Sequence, residues 1–216
     1  MFFPIYKNKL THTHTRVCAE RIDVTFNNLD SNVPTTIGEL SQLEYLVLKS
    51  NEFTGTLPTE MGRLTNLETL DISDNKKIRG LLPTELGRLD RLGTFKAHSM
   101  SLSGEIPFEF GNMSKIQWFE LSNNNLNGTI PSTLGMLSWI EFLLLRRNFL
   151  TGTIPTELGQ NTNLEVLSLD RNKLTGNMPD AVCALADYVS FSEMQLDCDV
   201  GCTCCKSCNQ GFDDCG

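Results

Sequence analysis

The chain has 216 residues, 40% of them apolar, which places it among folded chains rather than disordered ones. Its net charge of −8 excludes the basic surface of a nucleic-acid binder. The richest apolar run, Trp139 to Leu145, carries Glu141 and is far shorter than the roughly 18 residues of a membrane span.

Residues 1–15 (MFFPIYKNKLTHTHT) fit no pattern found later and read as an unstructured or remnant N-terminal segment. Their apolar start, Phe2 to Tyr6, is too short for the core of an export signal and is broken by Pro4. His12 and His14 could pair on a metal ion, but a frayed terminus accounts for them better.

From residue 16 to residue 179 one template, LxLxxNxLxGxIP followed by xxLGxLxxL, recurs seven times. The first core residues are Ile22, Leu46, Leu70, Phe95, Phe119, Leu143 and Leu167, so the repeat is 24 residues with one unit of 25. The extra residue lies in Asn75-Lys76-Lys77-Ile78. Seven of the eight prolines occupy one column, and twelve of the sixteen glycines occupy two. Apolar residues two apart, such as Leu46 and Leu48, share one face of an extended strand. The column from Gly55 to Gly176 suits a turn with positive φ, and the prolines lock extended backbone before each helical segment. Those segments have helical spacing over about two turns, too short to stand unless packed on neighbours. The asparagine column (Asn27, Asn51, Asn75, Asn124, Asn148, Asn172) is expected to be buried, with its amides bonding the backbone of adjacent turns. Met100 interrupts it beside the unusual Phe95 and Ala97, so the fourth unit is expected to be the weakest link. Asparagine at 100 is expected to add about 1 kcal/mol.

These columns resemble the plant-type leucine-rich repeat. The resemblance implies a right-handed α/β repeat solenoid, a horseshoe with a parallel concave sheet and a second short sheet beside it. It also implies binding rather than catalysis, as in receptor ectodomains and secreted inhibitors of wall-degrading glycosidases. Cys18 stands where such proteins end an N-terminal cap with a paired cysteine, and the rest of that cap is absent. The chain therefore reads as a fragment or an abbreviated member.

The informative positions are the variable ones that leave the concave sheet. Trp118, Glu120, Phe142, Leu144, Arg146 and Arg147 are expected side by side, with Lys96 and His98 adjacent and Tyr45 in the same outward column. Aromatics and arginine at a surface are the residues that most often carry binding energy. Trp118 and Phe142 recur one repeat apart, so their rings should lie about 5 Å from each other, the spacing of strands. Nucleotide loops, nucleophile elbows and His-Glu metal motifs are absent from the sequence, and Glu60, Glu85 and Glu157 recur at one repeat position as a solvated face. The sequence thus implies no enzyme, no cofactor and no metal site. Two glycosylation sequons, at Asn112 and Asn127, fall on repeat flanks.

Residues 180–216 hold seven acids against one lysine and read as a cysteine-rich C-terminal cap. Cys183 replaces the glycine of earlier units, and Met194 with Leu196 supplies a last strand-like pair. The run DCDVGCTCCKSC resembles the tail of algal secreted or surface leucine-rich-repeat proteins, with Asn209 in place of a final cysteine. Cys183, Cys198, Cys202, Cys204, Cys205, Cys208 and Cys215 could bind zinc or form disulfides, and disulfides suit an extracellular repeat protein with a small acidic tail better. The expectation is a monomeric extracellular or cell-surface module that binds a protein, peptide or glycan on its concave face. The alternative is a structural wall or matrix protein without a specific ligand.

Overall fold

The structure is a computed structural model in which residues 19–187, 193–196 and 200–201 are described. Each repeat contributes one three-residue strand centred on its first core residue: Arg21–Asp23, Tyr45–Val47, Thr69–Asp71, Thr94–Lys96, Trp118–Glu120, Phe142–Leu144 and Val166–Ser168. Strands this short have no stability of their own, so every backbone donor must find its acceptor on a neighbouring turn. All seven pair in parallel and in register, and Glu193–Gln195 adds an eighth strand with Met194 opposite Leu167. The tail therefore continues the stack, as the Met194 position predicts. Val200 is buried, and Gly201 pairs with Asn177 beyond the second sheet. That sheet consists of short parallel pairs on the glycine side, four strands from Thr54–Gly55 to Asn125–Leu126 and two at Thr151–Gly152 and Lys173–Leu174.

The helical segments keep the expected length of nearly two turns, but they are narrower than α-helices. Thr35–Glu39, Thr59–Arg63, Thr84–Arg88, Phe108–Asn112, Ser132–Met136 and Thr156–Gln160 are five-residue 3-10 helices. Each follows a proline whose φ lies between −60° and −73°. Neighbouring strands are about 4.8 Å apart, whereas an α-helix with its side chains is about 10 Å across. Successive turns can follow the sheet closely only if the helical segment is narrow and one residue of it is bare. A Cβ on Gly38, Gly62, Gly87, Gly111, Gly135 or Gly159 would collide with a backbone carbonyl of the next repeat, that of Glu157 in the case of Gly135. The last unit relaxes on both counts. Asp180–Cys183 is the single α-helical turn among the described residues, and Cys183 occupies the glycine position.

Leucines from every unit form one continuous core, including Leu46, Leu70, Leu121, Leu143 and Leu167 at 0% exposure. The fourth unit is not loosely packed. Phe95 meets Phe110 and Phe119 edge to face at 6.0 and 5.7 Å between centroids, and the small Ala97 leaves room for such rings.

The asparagine ladder forms as expected within the stack. Asn75 donates from Nδ2 to Leu48 O and Ile72 O, while its Oδ1 accepts the Phe53 amide of the preceding unit at 3.2 Å. At the two ends it differs, since Asn27 is exposed and Asn172 only half-buried. The inserted residue explains Met100. Two residues past an asparagine an N–H normally meets the next asparagine's Oδ1, as Phe53 meets Asn75 and Leu126 meets Asn148. In the 25-residue unit the corresponding amide belongs to Ile78 and bonds Asn75 O within its own turn at 3.0 Å. An asparagine at 100 would have no donor for its Oδ1, and the buried methionine fills that place instead.

Met100→Asn should therefore lower stability by about 1 kcal/mol or more, the reverse of the sequence expectation. Deleting Lys76 in the same chain should recover that loss by restoring the 24-residue spacing. Thermal unfolding of the single and double variants checks the coupling, and additive effects would refute it.

Candidate functional site: the concave face

Alternation along the strands sends core residues inward and their neighbours outward. Tyr45, Lys96, His98, Trp118, Glu120, Phe142, Leu144 and Arg146 are all half-buried on the concave side, while Phe119, Leu121, Leu143 and Leu145 between them are fully buried. Trp118 and Phe142 stand opposite each other on adjacent strands. Their rings stack at 4.2 Å with 24° between planes, slightly closer than the strand spacing. From the strand on the other side, Lys96 Nζ lies 4.0 Å from the centre of the Trp118 ring. The indole N–H donates to Glu120 Oε2 at 3.0 Å. Both faces of Trp118 and its only donor are thus occupied, so the surface left to a partner is the ring edge, Phe142 and Leu144.

The remaining candidates separate. Arg146 pairs with Asp170 at 3.3 Å, and its buried Nε donates to nothing among the described residues. Arg147 lies just past the sheet on a turn with φ 53°, exposed and apart from the ring stack. His98 Nδ1 is 3.2 Å from Ser99 Oγ and 4.0 Å from Asp74, which also lies 3.9 Å from Lys49. Tyr45 is three strands from Trp118 and carries the Arg21 guanidinium over its ring at 4.5 Å. At that end, hydrogen bonds from the Thr25 side chain and backbone hold the Asp23 carboxyl below its usual range, with a smaller contribution from Arg21.

The left-handed turn after each strand carries no glycine. Phe26, Ser50, Asp74, Ser99, Asn123, Arg147 and Arg171 all have φ of 53–59°. Mixed residue types hide this column from sequence reading. Asn112 and Asn127 are exposed, one ending a 3-10 turn and the other beside the second sheet, both away from the concave face. Cys18, Cys198, Cys202, Cys204, Cys205, Cys208 and Cys215 lie outside the described residues, as do His12 and His14.

Comparison with known proteins agrees with this geometry. A profile described as leucine rich repeat matches residues 19–92, and a second of the same description matches residues 115–137 and 163–185. The chain belongs to the leucine-rich repeat family. Among solved structures, this leucine-rich repeat chain resembles the ectodomain of the Arabidopsis thaliana receptor kinase GASSHO1/SCHENGEN3, solved with CASPARIAN STRIP INTEGRITY FACTOR 2. Identity is 27% over 85% of this chain and 26% of that one, with a TM-score of 0.74. A second is the Arabidopsis receptor kinase HAESA in complex with the peptide hormone IDA and the co-receptor SERK1, at 30% identity, TM-score 0.72, 74% of this chain and 27% of that one. A third is a chain of the Arabidopsis thaliana BIR3–SERK2 complex, at 31% identity, TM-score 0.54, 61% of this chain and 69% of that one. The leucine-rich repeats here span about a quarter of the first two receptor chains. A comparison with curated proteins gives no match.

The inward and outward positions predict different costs. Leu121→Ala leaves a cavity in the stack and should destabilise by about 2 to 5 kcal/mol. Trp118→Ala removes a stacked ring and a lysine contact but no core, and should cost about 0.5 to 2 kcal/mol. Equal melting temperatures for the two variants would mean that the indole belongs to the core.

Proposed function

We propose that the chain is the ligand-recognition part of an extracellular plant-type receptor-like or secreted protein, a monomeric module that binds a peptide segment on its concave face without catalysing a reaction. The observation that carries this reading is the outward stack of Trp118 and Phe142, continued by Leu144 and flanked by Lys96 and Arg146. An apolar strip with charges at its margin is how a groove holds an apolar side chain and fixes the backbone around it. The receptor kinase HAESA, which it resembles, was solved with the peptide hormone IDA, which favours a peptide over a glycan. No helix among the described residues is long and apolar enough to cross a membrane.

Extracellular placement is supported by Cys183, which is disulfide-bonded. The cysteines of the tail are proposed to be its partner and further disulfides, and Asn112 and Asn127 to be glycan acceptors on faces the ligand does not use. Mass spectrometry under non-reducing conditions should then find at least three bridges and no stoichiometric zinc. One zinc per chain with free thiols would overturn both the cap and the compartment.

For the face itself, secreted and wall extracts should be passed over the intact chain and over Phe142→Ala, and the peptides retained should be titrated individually. A true ligand should saturate at one site and lose about tenfold or more in affinity for Phe142→Ala. Multivalent, salt-sensitive adhesion that ignores Phe142 would favour a structural wall or matrix role instead.

A further inference from the structure

The rim of the concave sheet carries a column of acids immediately before the strands: Glu20, Glu44, Glu68, Glu141 and Glu165. The fourth and fifth units break it with Gly93 and Gln117. In those same two units the residue two places earlier is a cation, Arg91 or Lys115, where other units carry Gln42, Asn66, Trp139 and Asn163. The acidic rim therefore reverses its charge over two adjacent repeats, and this is where the structure opens a cavity of about 430 Å³. Thr69, Gly93 and Thr94 line it, with Tyr45 toward one end and Trp139 toward the other.

Two further observations characterise this opening. A Cβ on Gly93 would meet its nearest atoms at 3.7 and 3.9 Å, ordinary contact, so the backbone does not require glycine as it does in the two glycine columns. The space left by the missing side chain stays open. Both cations have neutral partners. Arg91 donates to Asn66 Oδ1 at 2.9 Å, and Lys115 lies 5.4 Å from the centre of the Trp139 ring. Neither forms an ion pair among the described residues. Glu68 lines the same opening on its third-repeat side.

We propose that this rim cavity is an acidic-side-chain subsite of the peptide groove, taking an aspartate or glutamate of the bound segment between Arg91 and Lys115. The proposal rests on the peptide-binding reading of the concave face. The cavity centres on the fourth strand and Phe142 stands on the sixth, two strand steps or about 10 Å away. A peptide in the polyproline II conformation covers that distance in three residues, about 9 Å, and with three residues per turn it projects the first and fourth side chains to the same side. The segment recognised therefore has an acid followed three residues later by an apolar or aromatic residue. Arginine binds the carboxylate through paired donors, and lysine adds charge beside it.

The test uses the whole chain and a library of capped heptapeptides with glutamate in second place, phenylalanine in fifth place and the other places randomised. Each peptide that binds is remade with glutamine for glutamate. The wild type should prefer the glutamate form by roughly tenfold or more. Arg91→Gln with Lys115→Gln should abolish that preference. So should Gly93→Glu, which restores the rim acid in space that already admits it. Phe142→Ala should weaken both peptides alike and keep the preference, so the two parts of the groove are read separately. A preference that survives in Gly93→Glu and in the double variant overturns the subsite while leaving the aromatic strip standing. Binding of trigalacturonate with no peptide bound would assign the cavity to an acidic glycan, and a library without any binder would overturn the subsite as stated.

Discussion

Every feature of this molecule answers to the separation of about 4.8 Å that parallel backbone hydrogen bonding imposes between neighbouring strands. With one turn of chain stacked on the next at that pitch, nothing on the far side of the solenoid can be thick. The helical segments are 3-10 turns for this reason, and each carries a glycine where the next repeat's carbonyl comes too close for any side chain. Asp180–Cys183, at the end of the glycine column, confirms the cause, because there the chain adopts an α-helical turn and cysteine replaces glycine.

The same pitch makes the repeats interdependent. Each buried asparagine serves two turns at once, with donors to both and an acceptor for one, so a change of length in one unit alters what the next must supply. The extra residue near Lys76 closes its own turn through the Ile78 amide and removes the need for an asparagine at position 100. Two departures from the pattern, 24 residues apart, are one local adjustment. The bulky Phe95 beside the small Ala97 is another such balance, resolved by an edge-to-face cluster with Phe110 and Phe119.

On the concave side the pitch brings like positions of successive repeats to stacking distance. Trp118 and Phe142 form a ring pair because the sheet holds them in register, and Lys96 reaches the other indole face from the preceding strand. The tryptophan is therefore a support for the surface beside it. The rim above this face works by omission, since Gly93 and Gln117 interrupt a row of acids and leave Arg91 and Lys115 beside open space.

The repeat length, the core positions and the roles of the positive-φ glycines and the prolines follow from the sequence alone, because each is a column in which one local requirement recurs six or seven times. The outward positions are legible for the same reason, through strict alternation about Phe119 or Leu143. The interruption of the acidic column at Gly93 is also visible in the sequence, but nothing there says whether the space it vacates is filled. What a side chain touches depends on the neighbouring turn, some 24 residues away, and only the assembled stack decides it. That is why the helix type, the repair around Met100 and the covered faces of Trp118 emerge from the tertiary structure: each is a contact between repeats rather than a property of one.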